Sequence, residues 1–155
     1  MKSILGFLFW FIITFLAAFI GSRFMPGEWY SHLAKPLWNP PNWIFAPVWT
    51  LLYFMMAIAA CLVWKRHGLV NAEIPLSLFV LQLGLNAMWS WLFFGLHKPG
   101  LAFVDIIVLW ILILVTLLTF WKLNRIAGAL MIPYLAWVSF ASVLNFALWQ
   151  MNIPK

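Results

Sequence analysis

The stretch PLWNPPNWIFAPVWTLLYFMM, Pro36–Met56, decides how this chain is read. Its first fourteen positions hold four prolines and three tryptophans, and from Ile44 onward it becomes an apolar run without a charge. Pro36, Pro40 and Pro41 stiffen a connecting segment. Pro47 falls in the first turn of a helix, where its missing N–H is tolerated. The most rigid and bulkiest residues thus stand at the mouth of a hydrophobic helix.

Outward from that stretch the chain stays apolar. Of its 155 residues, 66% are hydrophobic and 8% charged, against roughly half and a quarter in a soluble domain. Such a sequence cannot cover a water-facing surface, and it reads as an all-α integral membrane protein with one domain, 1–155. A helix needs about 20 apolar residues to cross the hydrocarbon core. Ser3–Ser22, Leu37–Trp64, Ile74–Leu96 and Ile126–Pro154 are free of charge, and Pro99–Trp121 is broken only by Asp105. These windows predict a compact bundle of five transmembrane helices near 4–23, 44–65, 75–96, 100–121 and 126–149. The first run ends in Gly21-Ser22-Arg23, a poor cleavage site, so it is expected to stay as a helix rather than leave as a signal peptide.

The formal charge is +6, but the basic residues do not cluster on one element. Arg23, Lys35, Lys65 with Arg66, Lys98, and Lys122 with Arg125 sit where apolar runs end. That is the placement of interfacial anchors, which argues for lipid headgroups and against nucleic acid. Lys2, Lys65, Arg66, Lys122 and Arg125 fall on one side of the membrane, and Arg23, Lys35, Lys98 and Lys155 on the other. The split is too even to set an orientation. Only the first connection, about 24–43, is long. Short connections make neighbouring helices antiparallel, so this structured loop is the segment free to cover one end of the bundle. Cys61 is the single cysteine, which excludes an intrachain disulfide. His32, His67 and His97 have no ligand spacing, and no metal site is expected.

Polar residues within the spans mark the bundle interior, because lipid gives them no partner. Gln82, Asn86 and Ser90 form one stripe beside Trp89 and Phe93. Ser142, Asn145 and Trp149 form another beside Trp137, Ala141 and Leu144, and Trp49, Tyr53 and Met56 share one side of their helix. Ser139 and Ser142 read as interhelical glue, whereas Gln82 and Asn86, among aromatic side chains of three helices, read as the lining of a ligand cavity. Asp105, alone among apolar neighbours, is assigned to structure or to the pocket rim. Pro133 frees the carbonyl of Ala129 and can open the bundle locally. Of the deeper tryptophans, Trp10 and Trp110 are expected to face lipid. Gly84, Ala87, Ser90 and Gly95 offer a small-residue surface for a homodimer.

Together these residues resemble the TspO/MBR family, the translocator proteins, peripheral benzodiazepine receptors and tryptophan-rich sensory proteins. The resemblance is carried by Trp29-Tyr30, Lys35-Pro36, Trp38, Pro40-Pro41, Pro47, Trp49-Thr50 and Leu52-Tyr53. It continues through Gln82, Asn86, Trp89-Ser90, Phe93-Phe94-Gly95, Pro133-Tyr134, Trp137 and Leu144-Asn145. It implies a bacterial member in the cell membrane that binds porphyrins, such as protoporphyrin IX and haem, and synthetic flat ligands under the first loop. No cofactor of its own is implied. The implied pocket includes Tyr30, Trp49, Tyr53, Asn86, Trp89, Trp137 and Ala141. Trp38, Gln82 and Asn145 join it from the aromatic and polar patterns. Trp49 and Trp137 match two tryptophans implicated in light-dependent porphyrin breakdown. The tyrosine and arginine of the animal sterol pattern are absent from Leu144–Gln150. The expected role is that of a receptor or sensor. The alternative is a transporter of tetrapyrroles or other small hydrophobic molecules.

Overall fold

The computed structural model describes residues 2–154, with side chains from Ile4 onward. Of the anchors counted above, the Lys2 side chain and Lys155 lie outside the described residues. The helices are α1 (Lys2–Ser22), α2 (Glu28–His32), α3 (Asn42–Asn71), α4 (Glu73–Ser90), α5 (Pro99–Leu123) and α6 (Arg125–Met151), and α4 runs on into a π-helical turn, Trp91–Gly95. Among the described residues, five helical stretches are long and apolar enough to span a bilayer: α1, α3, α4 with its π turn, α5 and α6. The protein is an integral, multi-pass membrane protein. The short α2, inside the first connection, carries no periodic apolar signal and was not expected from sequence.

Helix ends follow local chemistry. Asn124 caps α6, its Oδ1 accepting from Ile126 N at 3.0 Å and Ala127 N at 3.2 Å. Pro99 opens α5. α3 outruns its predicted end near 65, although Gly68 interrupts it at φ 73°, ψ −179°. That conformation is closed to residues with a side chain, and helical turns resume to Asn71. α6 continues through Pro133.

The spanning helices form a ring in the order α1, α3, α6, α5, α4. Chain order therefore does not give spatial order. Only Ala72 separates α3 from α4, yet each packs more extensively on α1 than on the other. In the half of the bundle away from the first loop, Ala57, Ala59 and Ala60 of α3 are buried and let neighbours approach closely. Phe79, Ile113, Phe120 and Met131 fill the space between.

Trp10 belongs to this core and not to the lipid face. It is 2% exposed and meets Phe79 edge-on at 5.9 Å. Trp110 is also turned inward, its Nε1–H donating to Ser139 Oγ at 2.7 Å and joining α5 to α6. Ser139 is thus interhelical glue. Ser142 instead donates to Val138 O of its own helix. The small-residue surface expected for a homodimer is divided: Ala87 is buried, Ser90 packs beside Gly21 of α1, and Gly95 lies under Phe24. Gly84 alone of the four keeps open space around it.

The connection between α1 and α3 lies over one end of the ring as a lid. Ala34 N donates to Asn152 Oδ1 at 2.9 Å, and Asn152 Nδ2 donates back to Ala34 O at 2.9 Å, tying the lid to the end of α6. Trp29 stacks on His97 with centroids 4.4 Å apart and planes 9° apart, tying it to the α4–α5 turn. Lys35 Nζ sits 4.7 Å from the Tyr30 ring centroid.

Two outcomes follow from this packing. A Cβ at Gly128 would come within 2.7 Å of the Trp121 backbone, so Gly128→Ala should destabilise the protein by about 1–3 kcal/mol, the range of overpacked cores. A lowered thermal midpoint in detergent would show this. Asn152→Ala removes both bonds to Ala34, each contributing about 0.5–1.5 kcal/mol. Hydrogen exchange at the Ala34 amide should quicken by about tenfold or more while the amides of α5 keep their protection.

Candidate functional site

Helical spacing brings the candidate residues to one end of the ring. Trp49 and Tyr53 are one turn apart on α3, Asn86 and Trp89 share a face of α4, and Trp137, Ala141, Leu144, Asn145 and Leu148 repeat along α6. These faces converge beneath the lid on a cavity of about 520 Å³, within the usual range for small-molecule sites. The end of α1 closes another side with Phe15, Ala18 and Phe19, and the lid contributes Phe24, Met25, Pro26 and Tyr30. Among the described residues, none that lines the cavity is charged.

The π turn serves this wall. Leu96 N donates to Trp91 O at 2.8 Å across a turn one residue wider than an α-turn. The extra residue lets the consecutive Phe93 and Phe94 both line the cavity, their rings 4.9 Å apart and edge-to-face. Trp89 stacks on Phe93 at 5.2 Å. Its Nε1–H donates to Asn145 Oδ1 at 2.9 Å, and Asn145 Nδ2 donates to Pro99 O at 2.8 Å, so one amide joins α4, α5 and α6. The mouth lies between the end of α1 and the start of α3, where Phe19, Met25, Ala46 and Thr50 line the cavity and remain exposed.

The floor is a buried polar chain. Tyr53 Oη donates to Asn86 Oδ1 at 2.6 Å, Asn86 Nδ2 donates to Tyr134 Oη at 2.8 Å, and Tyr134 Oη donates to Gln82 Oε1 at 2.8 Å. Gln82 Nε2 ends the chain against Met56 Sδ at 3.8 Å. Trp49 lies over this floor, tilted on Tyr53 at 5.7 Å and edge-on to Tyr134 at 6.2 Å. Trp137 stands on the neighbouring α6, with Phe45 edge-on at 6.0 Å, and its Nε1–H is buried without a partner among the described residues. Tyr30, on the inner side of the lid, is buried and donates to Asn39 Oδ1 at 3.2 Å. Burial pushes its hydroxyl above the ordinary tyrosine range, against the smaller opposite pull of Asn39. It is a neutral donor at pH 7.

Eight residues expected from sequence meet at this cavity: Tyr30, Trp49, Tyr53, Asn86, Trp89, Trp137, Ala141 and Asn145. Two do not. Gln82 lies one turn below Asn86, on the side of the floor away from the cavity, with its amide spent on Tyr134 and Met56. Trp38 is 49% exposed on the outside of the lid, its edge against Phe140. Asp105 is not at the rim either. It is buried on α5, away from the lining, with neither oxygen hydrogen-bonded among the described residues. The sequence reading set Phe93 beside the inner stripe and counted Phe93 and Phe94 in the family resemblance without naming either as a binding residue, and it passed over Phe45, whose apolarity is the same as that of core or lipid-facing residues. It also passed over Tyr134 as a site residue, although Tyr134 lies three positions before Trp137 on the same helical face.

Asn86 therefore both walls the cavity and clasps two tyrosines. Asn86→Leu takes away the acceptor of the Tyr53 hydroxyl, while the Tyr134 hydroxyl loses one partner and keeps Gln82; a buried group left unsatisfied costs about 1–3 kcal/mol. The thermal midpoint in detergent should fall. An unchanged midpoint would mean that the clasp contributes nothing to stability.

The TspO/MBR family model matches residues 9–150. The tryptophan-rich protein TspO of Chlorobaculum tepidum is 46% identical over 141 residues, covering 86% of this chain and 87% of that protein. The human translocator protein is 40% identical over 142 residues, covering 88% and 84%. The tryptophan-rich sensory protein of Cereibacter sphaeroides is 39% identical over 145 residues, covering 90% of each. The chain belongs to the TspO/MBR family.

Proposed function

We propose that this protein is a membrane receptor or sensor that takes porphyrins, protoporphyrin IX and haem among them, and related flat apolar ligands into the cavity beneath the lid. The observation that carries the proposal is the uncharged aromatic chamber walled by Trp49 of α3, by Trp137 of the neighbouring α6, and by Trp89, Phe93 and Phe94 of α4 and its π turn. A flat conjugated ligand has two broad faces, and aromatic walls stack on such faces by about 0.5–1.5 kcal/mol per pair beyond simple burial. The proposed binding residues are Tyr30, Trp49, Tyr53, Asn86, Trp89, Trp137, Ala141 and Asn145. The unpartnered Trp137 N–H is a donor for a ligand acceptor. The name tryptophan-rich sensory protein, carried by one relative, supports the sensing role. The mouth between α1 and α3 opens where exposed apolar side chains meet lipid, which suits ligands that partition into the bilayer.

The two indoles lining one cavity also support a finer reading, light-dependent breakdown of bound porphyrin. In it, Trp49 and Trp137 are the oxidisable protein groups and dissolved dioxygen is the oxidant. Transport, the alternative expected from sequence, is separated by flux through proteoliposomes, since a sensor binds without moving its ligand across.

Titrating the purified protein with protoporphyrin should quench tryptophan fluorescence saturably, and a linear, non-saturating response would overturn the binding proposal. Trp49→Phe and Trp137→Phe keep an apolar ring while removing the indole N–H. Each should bind within roughly tenfold of the parent protein, about 1.4 kcal/mol, and each should lose any light-dependent fall in porphyrin absorbance. Trp43→Phe, at an exposed position outside the lining, should match the parent in both assays. Undiminished photobleaching in both cavity variants would sink the indole mechanism and leave binding intact.

A further inference from the structure

At the end of the bundle away from the lid, α3, α5 and α6 form a second concavity, of about 420 Å³, unconnected with the aromatic cavity. Arg66, Lys122 and Arg125 line it together with Trp121 and Asn124. All three cations are exposed. The chain has only three carboxylates, Glu28, Glu73 and Asp105. Glu28 belongs to the lid, and Asp105 is buried in α5 with both oxygens unpartnered among the described residues. Glu73, opening α4, is thus the one carboxylate at this end, against Lys65, Arg66, Lys122 and Arg125.

The corner is braced. His67 Nε2 lies 3.1 Å from Leu123 O. A carbonyl only accepts, so Nε2 carries the proton, and this bond holds the end of α3, with Arg66, against the α5–α6 turn. The backbone at the start of α6 is not free to take an anion, because Asn124 Oδ1 already accepts from Ile126 N and Ala127 N. Recognition therefore falls to the cationic side chains. Beside them the surface is apolar: Trp121 is 42% exposed and Ile126 65%. A tryptophan next to basic residues at a helix end marks headgroup depth.

We propose that this corner binds the phosphate of an anionic phospholipid headgroup, with the acyl chains lying along Trp121 and Ile126. Clustered cations at the membrane boundary attract acidic lipids electrostatically. The adjoining apolar surface is what selects a lipid over free phosphate, because only the lipid gains from both.

The test uses the full chain, purified in detergent and stripped of lipid, with native mass spectrometry of added phosphatidylglycerol and of phosphatidylcholine with the same acyl chains. Phosphatidylglycerol should bind about tenfold or more tightly than phosphatidylcholine. Each cation removed should lower phosphatidylglycerol affinity about fivefold, so Lys122→Gln/Arg125→Gln should lose roughly twentyfold or more. Arg23→Gln/Lys98→Gln removes the same charge from the lid end and should stay within about twofold of the parent. Should the corner double variant not fold, the exposed single substitution Lys122→Gln carries the same test, with a loss of about fivefold. Equal losses in the two double variants, or no preference between the lipids, would overturn the site. Displacement of phosphatidylglycerol by an equal concentration of inorganic phosphate would overturn the lipid assignment. Saturable protoporphyrin quenching should be unaltered in Lys122→Gln/Arg125→Gln, since the corner and the cavity lie at opposite ends.

Discussion

Within a bilayer no water satisfies a buried polar group, so a group inside the bundle is costly unless it finds its partner in the protein. The chain from Tyr53 through Asn86 and Tyr134 to Gln82 meets that demand across three helices. Each donor in it has one defined acceptor, so sliding α3, α4 or α6 along its axis by one turn would break several bonds at once. Packing alone would restrain them less, because lipid tails are as apolar as the side chains they would replace. The clasp therefore sets the relative heights of these helices, and with them the floor of the cavity.

On either side of that floor the bundle is built differently. Away from the lid, alanines on α3 and the rings of Phe79 and Phe120, stacked at 5.8 Å, fill the interior. Towards the lid the helices carry larger aromatic residues and stand around open space. The π turn, the Asn145 bridge to Pro99 and the Asn152 tie to Ala34 hold that space open from three directions. A cavity kept open by hydrogen bonds among its walls is pre-formed, which lowers the ordering a ligand must impose on binding. The prolines of the lid act in the same sense, by limiting the conformations of the segment that covers the site.

Much of the site was legible as pattern. Asn86 and Trp89, Trp49 and Tyr53, and Trp137 with Ala141 share helical faces, and polar or aromatic faces in a membrane turn inward. What the pattern could not convey is depth. Gln82 and Asn86 lie one turn apart on one stripe, yet Asn86 reaches the cavity and Gln82 sits below it, because Tyr134 of α6 stands opposite both. Trp10 failed for a related reason: hydropathy scores an indole identically whether it packs on Phe79 or faces acyl chains. Gly84, Ala87, Ser90 and Gly95 likewise share a composition but not a surface.

By itself the sequence determined the number of spans, their approximate ends, the membrane environment and the long proline-stiffened loop. These depend on local quantities: the length of apolar runs, the fixed φ of proline and the placement of charges at run ends. The ring order α1, α3, α6, α5, α4 was decided only by the tertiary structure, as were the tyrosine–amide floor, the ties of the lid to Asn152 and His97, and the meeting of Arg66 with Lys122 and Arg125. Each of these joins residues far apart in the chain. A helical face says which way a side chain points, but which helix stands across from it is chosen by the packing of all five together.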